Sequence, residues 1–464
     1  MLREDWGCQV EDLTDIEDDG QSLTKRVLDA VLAAVELGDA AAVDDLLNPL
    51  HAADIADLLE QIDGRDRRAL LTLWRGGMDG EILSELEESL REEVIQSLAP
   101  LELAEAVREM ESDDVVDLVE DLDDAQQEAV LDALGVTDRI AVEQALSYPE
   151  ESAGRLQVEV VRAPVHWSVG ETIDFLRSHD DLPEQFYHVI LVDPRMKPTG
   201  YVTLGRLLGA PRATKLADLT EDSFRTFRYD QDEGDVAYAF NQYHLISAPV
   251  VDQNDRLVGV ITIDDAMIVL DEEHEEDILR LAGVGEGSLT DRVIETTRQR
   301  FPWLAVNLVT AILASLVISL FEDVIAGFVA LAVLMPIVAS MGGNAGTQSL
   351  TVAVRAIATR DLTGANVWRV IRREVYVGCV NGAIFAVVMG AVGMIWFGSP
   401  MLGVVIGVAM IINMVVAGLA GTVIPVALEK LGVDPALASG AFVTTVTDVV
   451  GFFAFLGLAA VVLL

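Results

Sequence analysis

The spacing of apolar residues changes twice along the chain. Over residues 23–150, apolar positions recur at intervals of three and four, which predicts helices throughout. Over residues 155–272, short apolar runs alternate with amphipathic stretches, which predicts strands mixed with helices. From residue 301 onward, long and nearly uncharged apolar stretches predict helices that cross a membrane. The pattern therefore predicts a multidomain protein.

The helical part contains an internal repeat. Residues 53–73 resemble residues 113–133, and each copy predicts a helix, a short acidic turn and a second helix. Stacked helical hairpins form a small superhelix, so we expect an all-α superhelical domain here. Such a stack is either an interaction and sensing surface or a scaffold with solvated acidic faces, and the pattern leaves both alternatives open.

The middle part contains a second repeat. Residues 186–209 predict a strand, a turn, a strand and the start of a helix, and residues 244–270 predict the same order. The paired phrases are VILVDPRMKPTGYVTLGRLL and APVVDQNDRLVGVITIDDAM, each with a Gly-x-Val/Ile-Thr strand before a helix. They resemble a tandem pair of CBS domains. That resemblance implies an α/β module that either binds adenosyl ligands or ions, or serves only to dimerise the protein.

Five spans are predicted in the last third of the chain, near residues 303–320, 324–345, 375–397, 402–428 and 437–463. Basic residues precede the first span and follow the second, whereas Glu322 and Asp323 follow the first. Because positively charged loops stay on the cytoplasmic side, this alternation predicts cytoplasmic N-terminal domains and a C-terminus outside. We therefore expect a multi-pass protein of the cell membrane.

Charge also separates the two parts of the chain. The protein has 76 acidic and 31 basic residues and a net charge of −45, yet residues 301–464 hold only seven acids and six bases. Only four of the bases are lysine, and acid-rich, lysine-poor surfaces are typical of proteins from salt-loaded cytoplasm. Nucleic acid is not an expected partner, because no basic patch could meet its phosphates. The acidic tail, residues 1–22, is expected to be disordered.

One charge lies inside the fifth predicted span. Asp448 stands in the phrase TTVTDVVGFF, and an aspartate at the centre of a bilayer costs about 2.5–3.5 kcal/mol on insertion scales. Such residues usually face a bundle interior or a water-filled path. The neighbouring Thr444, Thr445 and Thr447 can offer oxygen atoms or hold water. We therefore expect Asp448 to line an ion pathway.

The second predicted span is unusually polar. It contains Pro336 and then a run of glycine and polar residues: Gly342, Gly343, Asn344, Gly346, Thr347 and Gln348. Glycines permit either close helix packing or an unwound turn whose carbonyls coordinate an ion or its waters. The first alternative predicts a continuous helix and the second an interrupted one. Asn413, in the fourth span, is interpreted as hydrogen-bonding glue between helices.

Four segments resemble signature segments of the MgtE family of magnesium channels: FPWLAVNL, PIVASMGGNAGTQSLTVAVRAIATRDL, GVDPALASG and TTVTDVVGFF. The order of parts is similar too, with a helical N domain over 23–150, tandem CBS domains over 151–270, a connector or plug helix over 271–300 and a pore domain over 301–464. The resemblance implies a homodimer in membrane lipid, with the pore on its twofold axis and the connector helix acting as a plug.

The resemblance also implies two sets of site residues. The pore set lies around the transported ion and comprises Asp448, Thr444, Thr445, Gly343, Asn344 and Thr347. The regulatory set binds cytosolic Mg²⁺ and comprises Asp113, Asp117, Asp232, Asp265, Glu273, Glu276 and Asp277. Mg²⁺ is thus expected both as the transported ion and as the regulator, and an adenine nucleotide at the CBS pair is a further candidate ligand.

These residues predict a Mg²⁺-selective channel that Mg²⁺ itself closes. Two facing copies of Asp448 would hold a hydrated divalent ion, and cytosolic ions bridging the regulatory acids would favour a compact, closed state. Two alternatives stay open: a channel or coupled carrier for several divalent ions, such as Co²⁺, Ni²⁺ and Mn²⁺, and a nucleotide sensor whose spans only anchor it. An enzyme is not expected, because the sequence has no nucleophile–base pair, Walker loop or metal-hydrolase spacing.

Overall fold

The computed structural model describes residues 25–74, 77–98, 100–108, 110–120, 122, 124–179, 182–183, 186–220, 224–284 and 293–463. The predicted disordered tail, residues 1–22, lies outside the described residues. The chain divides into two compact units, Met1–Glu272 and Glu273–Leu464. Each unit is described by itself below.

The first unit begins with ten described helices. They are α1 (Lys25–Leu37), α2 (Ala40–Leu47), α3 (Ala52–Gln61), α4 (Gly64–Leu73), α5 (Gly80–Ser84), α6 (Glu88–Ser97), α7 (Pro100–Val107), α8 (Ser112–Glu120), α9 (Asp124–Ala133) and α10 (Val136–Leu146). Their apolar faces form one core that includes Leu58, Leu59 and Leu118. Both copies of the predicted repeat fold as helical hairpins, α3–α4 and α8–α9, so the helical character of this region is confirmed.

Two small sheets of identical topology follow. The first contains β1 (Arg162–Pro164), β2 (His188–Val192) and β3 (Pro198–Thr203), with α11 (Val169–Ser178) and α12 (Leu204–Gly209); the second contains β4 (Phe227–Arg228), β5 (Ser247–Val251) and β6 (Leu257–Thr262), with α13 (Glu233–Tyr243). In each sheet the first two strands are parallel and the last two are antiparallel. The central strands β2 and β5 are both largely apolar and buried, as expected for strands covered on both faces. The predicted pair of α/β units is confirmed.

One long helix, α14 (Ile263–Leu281), begins directly after β6. The second unit continues with α15 (Val293–Ser319), α16 (Glu322–Gly327), α17 (Ala330–Ala358), α18 (Val367–Phe397), α19 (Pro400–Lys430) and α20 (Pro435–Leu463). Within the described residues, five of these helices, α15 and α17–α20, are long and apolar enough to cross a membrane. The predicted five spans are therefore confirmed by length and composition.

Helix α19 is the most enclosed of the five and packs against α17, α18 and α20. Glycines allow its backbone to approach its neighbours closely. A Cβ atom on Gly421 would lie 2.5 Å from the Gly346 carbonyl oxygen, and one on Gly403 would lie 2.6 Å from the Gly390 carbonyl oxygen. Backbone approach through small residues is how membrane helices associate without a hydrophobic driving force.

The predicted start of the second span is wrong. Its helix begins at Ala330 rather than near residue 324, because Glu322–Gly327 forms a separate short helix. The helix is continuous through residues 342–348, so the first of the two alternatives, close helix packing, describes this segment and the unwound turn does not. The glycines at 342 and 346 serve close packing instead, since both are buried against other helices.

Candidate ion pathway and acidic cluster

Asp448 lies partly buried in the middle of α20. Helical spacing places Thr444 and Thr445, four and three residues earlier, on the same face. Their hydroxyls donate to carbonyl oxygens of their own helix: Thr444 Oγ1 to Gly440 O at 3.0 Å, and Thr445 Oγ1 to Ala441 O at 2.5 Å. Each hydroxyl oxygen therefore keeps acceptor capacity for an incoming ion or its waters. Among the described residues, no side chain pairs with the Asp448 carboxylate.

The predicted residues of the second span also share one face of their helix. A Cβ atom on Gly343 would meet no described atom within 4 Å, and Asn344 and Thr347 are exposed beside it. Thr347 Oγ1 donates to Gly343 O at 3.0 Å, while Asn344 Nδ2 donates to Ser340 Oγ at 3.4 Å. The face is therefore open, and it presents hydroxyl and amide oxygens.

The packing of α17 against α20 brings these two faces to the same depth. Gly346 contacts Val443 and Thr447, whereas Gly342 and Gly451 both contact the side chain of Asn413. The two helices are therefore antiparallel, and Asp448 lies at the level of Gly343 and Asn344. We call these two residues with Thr347, Thr444, Thr445 and Asp448 the candidate ion pathway.

Asn413 connects the two helices of the candidate ion pathway. Its side chain is fully buried in α19, and its Nδ2 donates to the Val338 carbonyl oxygen of α17 at 2.7 Å. Among the described residues, its Oδ1 has no hydrogen-bond partner. A buried unsatisfied polar atom costs about 1–3 kcal/mol. An interhelical hydrogen bond in a membrane contributes only about 0.6 kcal/mol on average. The interhelical hydrogen bond expected from the sequence is therefore present, but its average contribution does not offset the cost of the unpaired Oδ1.

A group of carboxylates joins the helical and CBS parts of the first unit. We call Asp113, Asp114 and Asp117 of α8, Glu233 of α13 and Asp265 of α14 the acidic cluster. Asp113 is buried, and its side chain shares a hydrogen bond with Asp265. Burial and the charge of Asp265 hold the pKa of Asp113 well above its usual range. Burial likewise raises the pKa of Asp265, which also accepts from Thr262 Oγ1 at 2.6 Å.

Sequence reasoning missed two members of the cluster. Burial, with help from Asp117, raises the pKa of Asp114 to about 7. Burial and the nearby charge of Glu151 raise the pKa of Glu233 to about 7 as well. The predicted residue next to it, Asp232, is exposed and caps α13 by accepting from the Asp235 amide at 3.0 Å. The only sequence signal for Asp114 and Glu233 was that each is adjacent to a predicted acidic residue.

Among the described residues, no group of three or more His, Cys, Asp and Glu side chains is arranged to hold a metal ion directly. The acidic cluster therefore crowds negative charge without forming a finished coordination shell. Its chemistry still suits Mg²⁺, because this ion prefers carboxylate oxygens and usually keeps several of its waters.

The other predicted regulatory acids belong to the second unit. Glu273 is exposed, while Glu276 pairs with Arg280 at 2.5 Å. Arg280 also pairs with Asp434 at 3.3 Å, in the connection before α20. Burial and the charge of Asp434 raise the pKa of Asp277. We call the set of Glu276, Asp277, Arg280 and Asp434 the connector contact.

The connector contact has an apolar base. Leu281, the last residue of α14, packs on the buried side chains of Leu350 and Val354 in α17 and Val443 in α20. Arg280 and Asp434 were not predicted as site residues, since their pairing joins segments far apart in the sequence. The Arg280–Asp434 ion pair and the apolar contact of Leu281, both within the second unit, thus hold the end of α14 to the membrane helices.

Three family models match the chain. They describe a divalent cation transporter over residues 335–458, an MgtE intracellular N domain over 50–151 and a CBS domain over 216–272. Among curated proteins, the magnesium transporter MgtE of Thermus thermophilus is 33% identical over 438 residues, covering 93% of this chain and 97% of that protein. MgtE of Bacillus subtilis is 29% identical over 416 residues, covering 89% and 92%. The chain belongs to the MgtE family of magnesium transporters.

Proposed function

We propose that this protein is a Mg²⁺-selective channel that admits magnesium across the cell membrane. The observation that carries the proposal is the unpaired Asp448 carboxylate at the level of Gly343 and Asn344. In a twofold homodimer one aspartate becomes two facing carboxylates. Such a pair can hold a hydrated divalent ion without stripping its water, and Mg²⁺ gives up its water reluctantly.

The proposed ion preference follows from the donor atoms. The candidate ion pathway offers only carboxylate, hydroxyl, amide and carbonyl oxygens, which suit Mg²⁺. Imidazole and thiolate ligands, which suit Ni²⁺ and Co²⁺ better, do not occur among its six residues. A broader divalent path or a coupled carrier is the second candidate, and uptake measured separately for Mg²⁺, Co²⁺ and Ni²⁺ distinguishes it. The proposed role is transport, and no residue is assigned a catalytic role.

We propose that cytosolic Mg²⁺ closes the channel. Without a divalent cation, the carboxylates of the acidic cluster repel one another, and protons retained at raised pKa values and the nearby Arg91 and Arg155 offset that repulsion only in part. Divalent ions bridging Asp113, Asp117 and Asp265, with Asp232 as the outer member, would replace those protons and favour a compact state. Glu273, Glu276 and Asp277 would act in the same way at the end of α14.

We propose the domain bounds predicted from the sequence: 23–150, 151–270, 271–300 and 301–464. In this proposal the N-terminal domains lie in the cytoplasm and the C-terminus lies outside.

An adenine nucleotide remains a candidate ligand of the CBS pair. His188 of β2 hydrogen-bonds Ser247 of β5, and the rings of Tyr201 and Phe224 lie nearby in a row. Aromatic faces beside a polar group suit a purine base. Binding of a fluorescent ATP analogue, competed by ATP and weakened by Tyr201→Ala, is the expected result.

The central experiment measures Mg²⁺ uptake into proteoliposomes under an inside-negative potential. Asp448→Ala and Asp448→Asn are each expected to lower uptake by more than about tenfold, since removing a charge from an ion site costs several kcal/mol. Asp323→Asn is the matched control, because this aspartate is exposed and lies outside the pathway. Undiminished uptake in both Asp448 variants would remove the basis of the proposal.

Cysteine cross-linking tests the homodimer. In a chain with Cys8 and Cys379 replaced by serine, Asp448→Cys is expected to cross-link to its copy through a short bifunctional thiol reagent, because residues that face each other across a hydrated ion lie too far apart for a direct disulfide. Thr447→Cys is the matched control, since this neighbour is fully buried against α17. Equal cross-linking at 447 and 448, or none at 448, contradicts a pore on the twofold axis.

A further inference from the structure

Asn413 contacts both helices of the candidate ion pathway from a third helix. From α19 it donates to the Val338 carbonyl oxygen of α17 at 2.7 Å. A Cβ atom on Gly342 would overlap its Nδ2, and one on Gly451 of α20 would lie 3.0 Å from Nδ2 and 3.1 Å from Oδ1. Both glycines are needed because this one side chain occupies the space between their helices.

The contacts of Asn413 are next to the pathway residues along the chain. Gly342 immediately precedes Gly343 and Asn344, and Gly451 follows Asp448 by three residues. The hydrogen bond to Val338 fixes how far α17 extends along α19, and the two glycine contacts fix how far apart α17 and α20 lie. A change at residue 413 therefore alters depth and spacing at the ion without touching a pathway residue.

An apolar residue would fill this space without leaving a polar atom unpaired. Among the described residues, Asn413 Oδ1 is buried without a partner, although leucine has the same branching and the same number of heavy side-chain atoms without a polar group. Stability alone therefore gives no reason for an amide at this position. Geometry does, since an amide bonded to a backbone carbonyl sets the relative depth of two helices, whereas an apolar contact permits sliding.

We propose that Asn413 is a positioning residue that sets the spacing of α17 and α20 and thereby the preference for Mg²⁺ over Ca²⁺. The proposal rests on the channel function proposed above. Mg²⁺ demands near-ideal octahedral geometry, whereas Ca²⁺ accepts six to eight oxygens at longer and more variable distances. If α17 and α20 are held less firmly in depth and spacing, the pathway should consequently lose its preference for Mg²⁺ over Ca²⁺ before it loses ion conduction.

The first test compares Asn413→Leu with the unaltered protein in proteoliposomes. We expect the ratio of Mg²⁺ to Ca²⁺ uptake to fall by about threefold or more, the factor that corresponds to one average interhelical hydrogen bond. Gly457→Ala is the control, because a Cβ atom there would meet only Phe321 at an ordinary 3.8 Å. An unchanged ratio in folded, monodisperse Asn413→Leu overturns the proposal.

A second test remains informative if Asn413→Leu does not fold. Gly342→Ala alone is expected to lower the unfolding temperature in detergent, because the new methyl group meets the amide. Gly342→Ala combined with Asn413→Ala should recover that temperature, since the shortened side chain makes room, but the Mg²⁺ to Ca²⁺ ratio should stay low. Recovery of both quantities would mean that Asn413 only fills space, and additive losses of stability would mean that the contact is absent. Either result overturns the proposal.

The outcome for Asp448 separates the two proposals. If both Asp448→Ala and Asp448→Asn leave Mg²⁺ uptake intact, the channel assignment itself fails. If Asp448→Asn abolishes uptake while the Asn413 variants keep the wild-type ion ratio, the channel assignment stands and only the positioning role is refuted.

Discussion

The candidate ion pathway and the acidic cluster handle negative charge in opposite ways. The pathway has one carboxylate per chain, Asp448, surrounded by neutral oxygens. The cluster crowds five carboxylates into one region of a single chain, and burial raises the pKa values of several of them. An isolated carboxylate therefore becomes a divalent site only where a second one faces it, as in the proposed homodimer, whereas crowded carboxylates can bind a cation or retain protons within one chain.

The crowded site should therefore respond most to the ion itself. Mg²⁺ at about 100 times its dissociation constant is expected to stabilise the compact cytosolic state by about 3 kcal/mol. Protease protection of residues 271–300 should rise with Mg²⁺ concentration, even in molar KCl, because directly bridged carboxylates are not screened like diffuse charge. Unchanged protection would contradict ion-dependent closure. Sucrose at matched osmolarity controls for general exclusion effects.

Protons should replace the ion in part. Asp114 and Glu233 have folded pKa values of about 7, above their ordinary values of 3.8 and 4.5. Their stabilising contribution is therefore fully present below about pH 4 and is lost as the pH rises through about 7. Because solvent partly screens both groups, we expect a total loss of about 2 kcal/mol, well below the full value of the two shifts. Cleavage rates of the Mg²⁺-free full chain at about pH 5 and pH 8 measure the change. The Asp114→Asn, Glu233→Gln variant should flatten the pH dependence relative to wild type.

A single charge removed from the cluster should have a smaller effect. Asp114→Asn is expected to stabilise the Mg²⁺-free protein by about 1 kcal/mol at about pH 8, because a neutral amide avoids the cost of ionising a half-buried acid. Asp45→Asn is the control, since Asp45 is exposed on α2. Resistance to thermal unfolding without divalent ions is the measurement, and destabilisation by Asp114→Asn would show that the charges do not repel.

The connector contact lies between the two extremes, because there an arginine neutralises the acids. Arg280→Ala is expected to lower the free energy of opening at the end of α14 by less than about 1 kcal/mol, since its ion pairs are partly exposed. Protease cleavage there should therefore increase only slightly. Arg228→Ala, which breaks a more exposed pair with Asp230, is the control. A large effect of Arg280→Ala in saturating Mg²⁺ would mean that the arginine, rather than the ion, holds this contact.

Repetition and hydropathy predicted the architecture well. The two helical hairpins, the strand pairs β2–β3 and β5–β6 and the five apolar helices occur in the regions that the patterns indicated, because each depends on local periodicity. The short strands β1 and β4, which complete the two sheets, were not predicted. The start of the second span was misplaced, since nothing local distinguishes the short helix Glu322–Gly327 from the beginning of a span.

The sites were only partly predictable. Glycines 342 and 346 were compatible with an unwound turn or with packing, and only the position of Asn413 and Val443 against them decides the question. Asp114 and Glu233 were missed because burial depends on contacts between segments distant in sequence. Asp448 was predictable because a charge in an apolar span is costly wherever its neighbours lie.

The close backbone approaches around α19 have a mechanical consequence. Glycines 403 and 418 of α19 lie against the carbonyl oxygens of Gly390 and Glu374 in α18. A slip of one helical turn would bring side chains into these carbonyls. Helices α18 and α19 therefore form a fixed pair that cannot slide past each other by one helical turn. Any movement that opens or closes a path through the membrane helices must rotate or tilt other helices about this fixed pair.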